Sequence, residues 1–437
     1  MILIYSNIIT PRIKYIFKHI FKLRLGVDVN FTSDIDNFKN YDSYKMSYNN
    51  DQIDNEFYIN TSEILFSSKI EDLEINVQNW DGHPVFFFNK DNPFFKFDIF
   101  AASFYLISRY EEYLLHLKDD FGRFDPSSSI AYKNRFLNKP IIDFWIERFK
   151  SKLLEFYPDF NFKKQSYKLI TCLEVPCAFD FKGKGLVRTI GGVVRDFLRL
   201  DIYRLYRRIP VLLNVRRDPL DNYSNWIDLN KNNGLETMVF FLIGNFSRYD
   251  RNLSFYSKSF TEKIKDISDF CEVSLLSSYS SLKNEKLLEF ETNKLQSIVH
   301  RSIKKNRQNL LKIDFPLTYR NFARFGFNHD YSLQYYDMPG FRASTTNPFY
   351  FFDLENELET KLLIHPVCAT DRVLKIYKKP ILARQALEEI TRYVKEINGE
   401  MILVLNNSII SDYSTNYKWK KMFNKFFKSH GKNSRNN

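Results

Sequence analysis

The chain has 437 residues, of which 44% are hydrophobic and 17% aromatic, with 43 Phe and 27 Tyr against 13 Gly. That length allows two domains with cores of their own, and the apolar content excludes a disordered chain. The net charge of +12 favours anionic partners, whether phosphates, anionic glycans, nucleic acid or a lipid leaflet.

The first part, residues 1–160, reads as a small α+β domain. Strands are predicted at 2–5, 56–59, 63–66 and 84–88. A helix starts near Pro11, where proline suits the first turn. Ile13, Ile16, Phe17, Ile20 and Phe21 form its apolar stripe, and Lys14, Lys18 and Lys22 lie on another face. That pattern fits an amphipathic helix packed on a sheet, or a helix lying on a membrane surface. A second helix is predicted over 98–115 and a third over 140–156. Arg109, Glu111 and Glu112 on the second are expected to form a solvated or interdomain ion-pair network. The best boundary falls in 157–166.

The second part, 167–415, alternates strands and helices. Strands are predicted at 167–175, 237–243, 272–277, 361–367 and 401–405. Helices are predicted at 187–208, 219–232, 261–270, 283–304 and 380–398. Such short apolar strands suit a parallel sheet buried on both faces. The alternation predicts an α/β fold, a distorted (β/α) barrel or a doubly wound sheet, with chemistry at the strand C-termini. The tail, 416–437, is lysine-rich and reads as a frayed basic helix followed by disorder.

Cys172, Cys177, Cys271 and Cys368 form no CxxC pair, so neither a zinc ribbon nor a thioredoxin motif is supported. Buried free thiols in a reducing compartment are expected, which points to the cytoplasm. No apolar run approaches the roughly 18 residues of a transmembrane segment. There is no Walker loop, no G-x-S-x-G elbow and no motif for sequence-specific nucleic-acid binding.

Residues 182–217 hold ten Lys or Arg and two acidic residues. Val187, Val194, Leu198 and Ile202 mark the apolar side of the predicted helix, and Arg195, Arg199, Arg204, Arg207 and Arg208 run along it. The arginines read as a solvated face or as a docking surface for an anionic partner.

The predicted strand ends carry Glu174-Val175-Pro176, Leu276-Ser277-Ser278, His365 and Asn406-Asn407, and the segments between them carry Arg307-Gln308-Asn309, Asp330, Arg342 and Asp371. This order, together with the strings FDIFAASFYLISRYEEY, GKGLVRTIGG, GFRASTTNPFYFFDLENELET and IHPVCATD, resembles the NodB-homology polysaccharide deacetylases. It is most similar to a Bacteroidetes branch with an uncharacterised N-terminal domain. The resemblance implies surface carbohydrate metabolism and a glycan partner. It also implies a divalent, zinc-like metal held by Asp and His, an Asp base in a D-x-D pair and a late His acid.

Carried onto this chain, that pattern breaks. The D-x-D pair becomes Glu174 and Pro176, which leaves Glu174 as the candidate base. Leu276, Asn309 and Asn406 stand where histidines are expected. Arg307, Asp330, Arg342, His365 and Asp371 remain as candidate binding residues. His365 is the one candidate metal ligand left, or else a hydrogen-bonded histidine. Asp330 beside His329 binds a metal or shapes a loop. Arg342 is expected to pair with Asp330 or Asp371. The expectation is a protein with weak or no hydrolase activity and no cofactor. Two alternatives stay open: an active metal-dependent N-deacetylase with a site rebuilt from Glu174, Asp330, His365 and Asp371, and a non-catalytic module for anionic glycan or membrane.

Overall fold

The computed structural model describes residues 1–431. The disorder expected at the end of the tail, 432–437, lies outside the described residues. β1 (Ile2–Tyr5) leads into α1 (Pro11–Phe17). Thr10 caps α1 by accepting from the Ile13 N–H, and Pro11 needs no donor partner there. The helix continues as a π-helical stretch, Lys18–Leu25, which ends at Gly26 with φ 70°. Its apolar stripe is buried and Lys14, Lys18 and Lys22 face out, as the spacing predicts.

Next come β2 (Val29–Thr32), α2 (Ile35–Lys39), β3 (Lys45–Tyr48) and β4 (Phe57–Ile59). With β1 they form a parallel sheet in the order β2-β1-β3-β4. Residues 63–66 are not a strand: Glu63–Leu65 is a 3-10 turn. Its carbonyls go to side chains instead of a ladder, Ile64 O to Arg12 at 2.7 Å and Leu65 O to Thr10 at 2.5 Å. β5 (Gln78–Trp80) and β6 (His83–Val85) form an antiparallel ribbon. α3 (Ile99–Ile107) is shorter than predicted, because Arg109 turns left-handed at φ 55°. α4 (Ile130–Lys133) and α5 (Ile141–Phe156) complete this unit.

The second part runs β7 (Lys168–Val175), α6 (Gly185–Leu198), α7 (Ile202–Leu212), α8 (Tyr223–Asn232), β8 (Glu236–Leu242), α9 (Lys258–Ser268) and β9 (Glu272–Ser277). Then follow α10 (Glu285–Val299), β10 (Lys305–Gln308), α11 (Leu317–Arg324) and β11 (His329–Asp330). The chain ends through β12 (Phe349–Asp353), β13 (Leu358–Ile364), β14 (Ala369–Thr370), α12 (Asp371–Lys375), α13 (Pro380–Glu396), β15 (Glu400–Asn406) and α14 (Tyr417–His430). The single helix predicted over 187–208 is two, parted at Leu200 with φ 52°.

These strands form one sheet, ordered β12-β13-β11-β10-β9-β8-β7-β15-β14, in which only the β12–β13 pair is antiparallel. The segment after β13 closes the gap between its ends. His365 N–H donates to Asp330 O on one side, and Cys368 N–H donates to Ile402 O on the other. The fold is therefore α/β, a distorted (β/α) barrel preceded by a smaller unit. Inward residues alternate along the strands: Ile170 and Cys172, Met238 and Phe240, Ile402 and Val404 join Leu276, Tyr331 and Val367 in one buried cluster. The intervening residues, such as Leu173, Phe241 and Leu403, join a larger cluster shared with the N-terminal unit.

Buried polar contacts also tie the two parts. Arg12 pairs with Glu357 at 2.7 Å. Asp143 accepts from the Thr346 N–H and from Asn347 Nδ2. Glu112 lies between Arg342, at 2.5 and 2.8 Å, and Arg109, at 2.8 Å. Burial pushes the Glu112 carboxyl up, but the two guanidiniums outweigh it and hold it down at about 2. Arg342 thus pairs across the parts with Glu112, and with neither Asp330 nor Asp371, because its loop turns toward the N-terminal unit.

Candidate functional site

Parallel strands deliver side chains to the mouth at their C-terminal ends. On β7 the inward alternation Ile170, Cys172 continues to Glu174, and on β15 Ile402, Val404 continues to Asn406. Asn406 is the direct neighbour of Glu174. Arg307 enters from β10, beside Leu276 of β9. A cleft of about 800 Å³ opens there, and Glu174, Pro176, Arg307, Asn309, Asp371 and Asn406 are in its wall.

Glu174 is held by Arg307, with Nε 3.0 Å from Oε2. Arg307 is buried and spends its other nitrogens on Tyr331 O, at 2.5 Å, and Gln334 Oε1, at 3.3 Å. The positions where the resemblance leads one to expect histidines serve the framework. Leu276 belongs to the apolar barrel interior. Asn309 donates to Asp250 at 3.0 Å, and Asp250 also accepts from the backbone N–H groups of Tyr279 and Ser280. Asn406 Oδ1 accepts from Ser408 N–H at 3.0 Å and caps the turn Asn407–Ile410. Asn407 donates to Cys177 O and to the Tyr223 hydroxyl.

The other candidates scatter. Asp371 is in the cleft wall, where it accepts from Asn406 N–H at 2.7 Å and pairs with Lys375 at 3.4 Å. Burial raises its carboxyl. Asp330 is fully buried and accepts from the Ser332 N–H and hydroxyl, at 2.8 and 2.7 Å. Burial lifts it to about 6. His365 does not line the cleft. Its ring stacks on Tyr331 at 4.3 Å, and its Nε2 lies 2.9 Å from His329 Nδ1. Burial, then His329 and Lys305, push its pKa well below the usual value. Lys305 and His329 begin β10 and β11, at the strand ends opposite the mouth.

Among the described residues no three His, Cys, Asp or Glu side chains converge to hold a metal ion. At the mouth, two carboxylates engaged by Arg307 and Lys375, a proline and two amides, with no histidine or cysteine among the described residues of the wall, do not fit a zinc-like ion. The arrangement instead suits a polar, anionic ligand. Cations outnumber carboxylates in the wall, and Arg248, Arg251 and Arg372 are exposed and lack a carboxylate partner among the described residues. Tyr249, Tyr336 and Phe121 add aromatic faces. Arg123 and Arg372 lie over the Tyr336 ring, at 3.2 and 4.2 Å.

Phe121 comes from the N-terminal unit. Its loop is fastened by Arg123 to Leu310 O at 2.9 Å and by Lys312 to Gly122 O at 2.8 Å. Leu310 and Leu311 are both left-handed, at φ 58° and 53°. Two such non-glycine residues cost about 1–2 kcal/mol each, a strain the loop fastening sustains beside the cleft. None of these loop residues has a periodic signal in the sequence; only the closing of the barrel collects them.

A family model described as a family of unknown function, DUF7033, matches residues 2–158. No curated protein matches the chain. Among solved structures, the chain is similar to a candidate polysaccharide deacetylase from Mycobacterium smegmatis, at 12% identity and a TM-score of 0.39, over 61% of this chain and 85% of that one. It is similar to a CE4 family pseudoenzyme from Bacillus anthracis, at 9% identity and 0.31, over 61% and 63%. It is also similar to a polysaccharide deacetylase from Bacillus cereus, at 10% identity and 0.29, over 62% and 89%.

Proposed function

We propose that this chain is a polysaccharide deacetylase-like protein of bacterial surface carbohydrate metabolism that binds a glycan at the barrel mouth and lacks hydrolase activity. The Glu174–Arg307 pair carries this reading. The one carboxylate retained where a base is needed is engaged by a buried guanidinium. The amides at 309 and 406 cannot carry a catalytic proton near neutral pH. The aromatic faces suit sugar rings, and the unpaired arginines suit an anionic group on the sugar. Residues 182–217 make a second, separate contact with an anionic partner. The four free cysteines support a cytoplasmic location.

Three measurements on purified protein test this: metal content, acetate release from N-acetylglucosamine oligomers, and calorimetric binding of uronic-acid or phosphate-bearing oligosaccharides. The expected result is no stoichiometric metal, no acetate above that of Glu174→Gln, and glycan binding weakened at least about tenfold by Arg251→Ala with Arg372→Ala. Stoichiometric zinc, nickel or cobalt with acetate release would establish a rebuilt hydrolase instead. Absence of any glycan binding would remove the ligand reading.

A further inference from the structure

The hairpin α6–α7 is amphipathic in the inverse sense. On α6, Leu186, Val187, Ile190, Val194 and Phe197 recur at helical spacing and face solvent, Leu186 at 82% exposure and Val187 at 86%. On α7, Ile202, Tyr206 and Ile209 continue the row, Ile202 at 74%. Leu200, in the turn between the helices, is exposed as well. The polar side faces the protein. Asp196 and Arg208 are each 1% exposed and pair at 2.5 Å. Arg204 donates to Asp180 at 3.0 Å, and Asp180 also accepts from the Tyr413 hydroxyl. An ordinary surface helix has these faces the other way round. Contiguous apolar surface of this kind marks a contact with an apolar medium.

The rim of that surface is cationic. Arg199, Arg216 and Arg217 are exposed and lack carboxylate partners among the described residues. Arg207 donates to Asp412 O, and Asp412 shares a hollow with Lys421, Lys425 and Lys428 of α14. No helix among the described residues is long and apolar enough to cross a membrane. The helices have 14 and 11 residues, against the roughly 20 of a span. A soluble polyanion would meet the arginines and leave the apolar row in water. A second copy, docked face to face, would cover the row but set arginine rim against arginine rim. A bilayer with anionic headgroups satisfies both features at once.

We infer that the α6–α7 hairpin is an in-plane membrane contact, seated in the headgroup–acyl boundary of an anionic bilayer with its arginines on lipid phosphates. This rests on reading residues 182–217 as the contact for an anionic partner, and it names that partner. The hairpin springs from the end of β7, the barrel end that carries the cleft, so seating it brings the mouth toward the lipid surface.

Flotation of the full chain with vesicles of phosphatidylcholine, with and without 30% phosphatidylglycerol, tests the inference, with dextran sulfate as the soluble polyanion. The wild type is expected to float with the anionic vesicles. Leu186→Glu with Phe197→Glu lowers the partition coefficient more than about a hundredfold. Arg199→Gln, Arg216→Gln and Arg217→Gln together lower it roughly a hundredfold, and salt weakens wild-type binding in the same direction. Phe197→Trp reads insertion directly, by a blue shift and by quenching with brominated lipid. Binding to dextran sulfate without flotation overturns the lipid assignment and leaves the anionic-partner reading standing. Binding to neither overturns both. Dimerisation that Leu186→Glu abolishes, without flotation, assigns the face to a second copy and overturns the inference.

Discussion

The barrel interior and the α6–α7 hairpin use the same ingredients in opposite senses. Both set rows of large apolar side chains beside a carboxylate paired with a buried guanidinium. In the barrel the apolar row is inside, and Glu174–Arg307 closes it at the mouth. In the hairpin the pair Asp196–Arg208 is inside, and the apolar row is outside. Residue type therefore does not decide role. What decides it is which face the rest of the chain covers.

Substitutions can break or sharpen that contrast. The largest effect is expected for Phe240→Ala in the barrel interior, a loss of about 3–5 kcal/mol in urea unfolding, since the cavity has no room to collapse. Arg307→Ala comes next, at about 3 kcal/mol by the same measurement, because Glu174 and Tyr331 O lose their donor together. A smaller figure would mean that Glu174, already partly exposed in the cleft wall, is solvated without its partner and is free for chemistry.

Asp330 gives a pH signature of intermediate size. Its carboxyl is raised to about 6 in the fold from 3.8. Between those values the native state binds more protons than the unfolded one, so stability from this group rises as pH falls from 6 toward 4. Asp330→Asn should remove that gain, up to about 3 kcal/mol, in unfolding midpoints compared at pH 7 and pH 4. The smallest effect is expected for Phe197→Ser on the hairpin, within about 0.5 kcal/mol by thermal melting without lipid. A loss near that of Phe240→Ala would mean that the hairpin packs on its own chain.

Much of the fold is legible in the sequence alone. The strand at Glu272–Ser277 was readable to the residue, and those at Lys168–Val175 and Glu400–Asn406 nearly so, because each is a compact apolar run. Lys305–Gln308 was missed, since Lys-Asn-Arg-Gln holds no apolar residue and is a strand only through its neighbours β9 and β11. His329–Asp330 and Ala369–Thr370 were missed for their brevity. At the mouth, Glu174 could be named from a strand end, and Arg307 and Asp371 from the resemblance. Phe121, Arg248, Arg251 and Tyr336 could not, because loops carry no period.

The sequence by itself determined the alternation of strands and helices, the presence of Leu276, Asn309 and Asn406 instead of metal-binding side chains, and the two-faced character of residues 187–208. These are local properties, written in spacing and residue type. Only the tertiary structure decided that Glu174 meets Arg307, that Arg342 reaches Glu112 and that His365 sits away from the cleft. It also turned the hairpin's apolar side outward. Periodicity establishes that a helix has two faces, but covering one of them depends on residues far along the chain, here Asp180, Asp412 and Tyr413, that hold the polar side against the barrel.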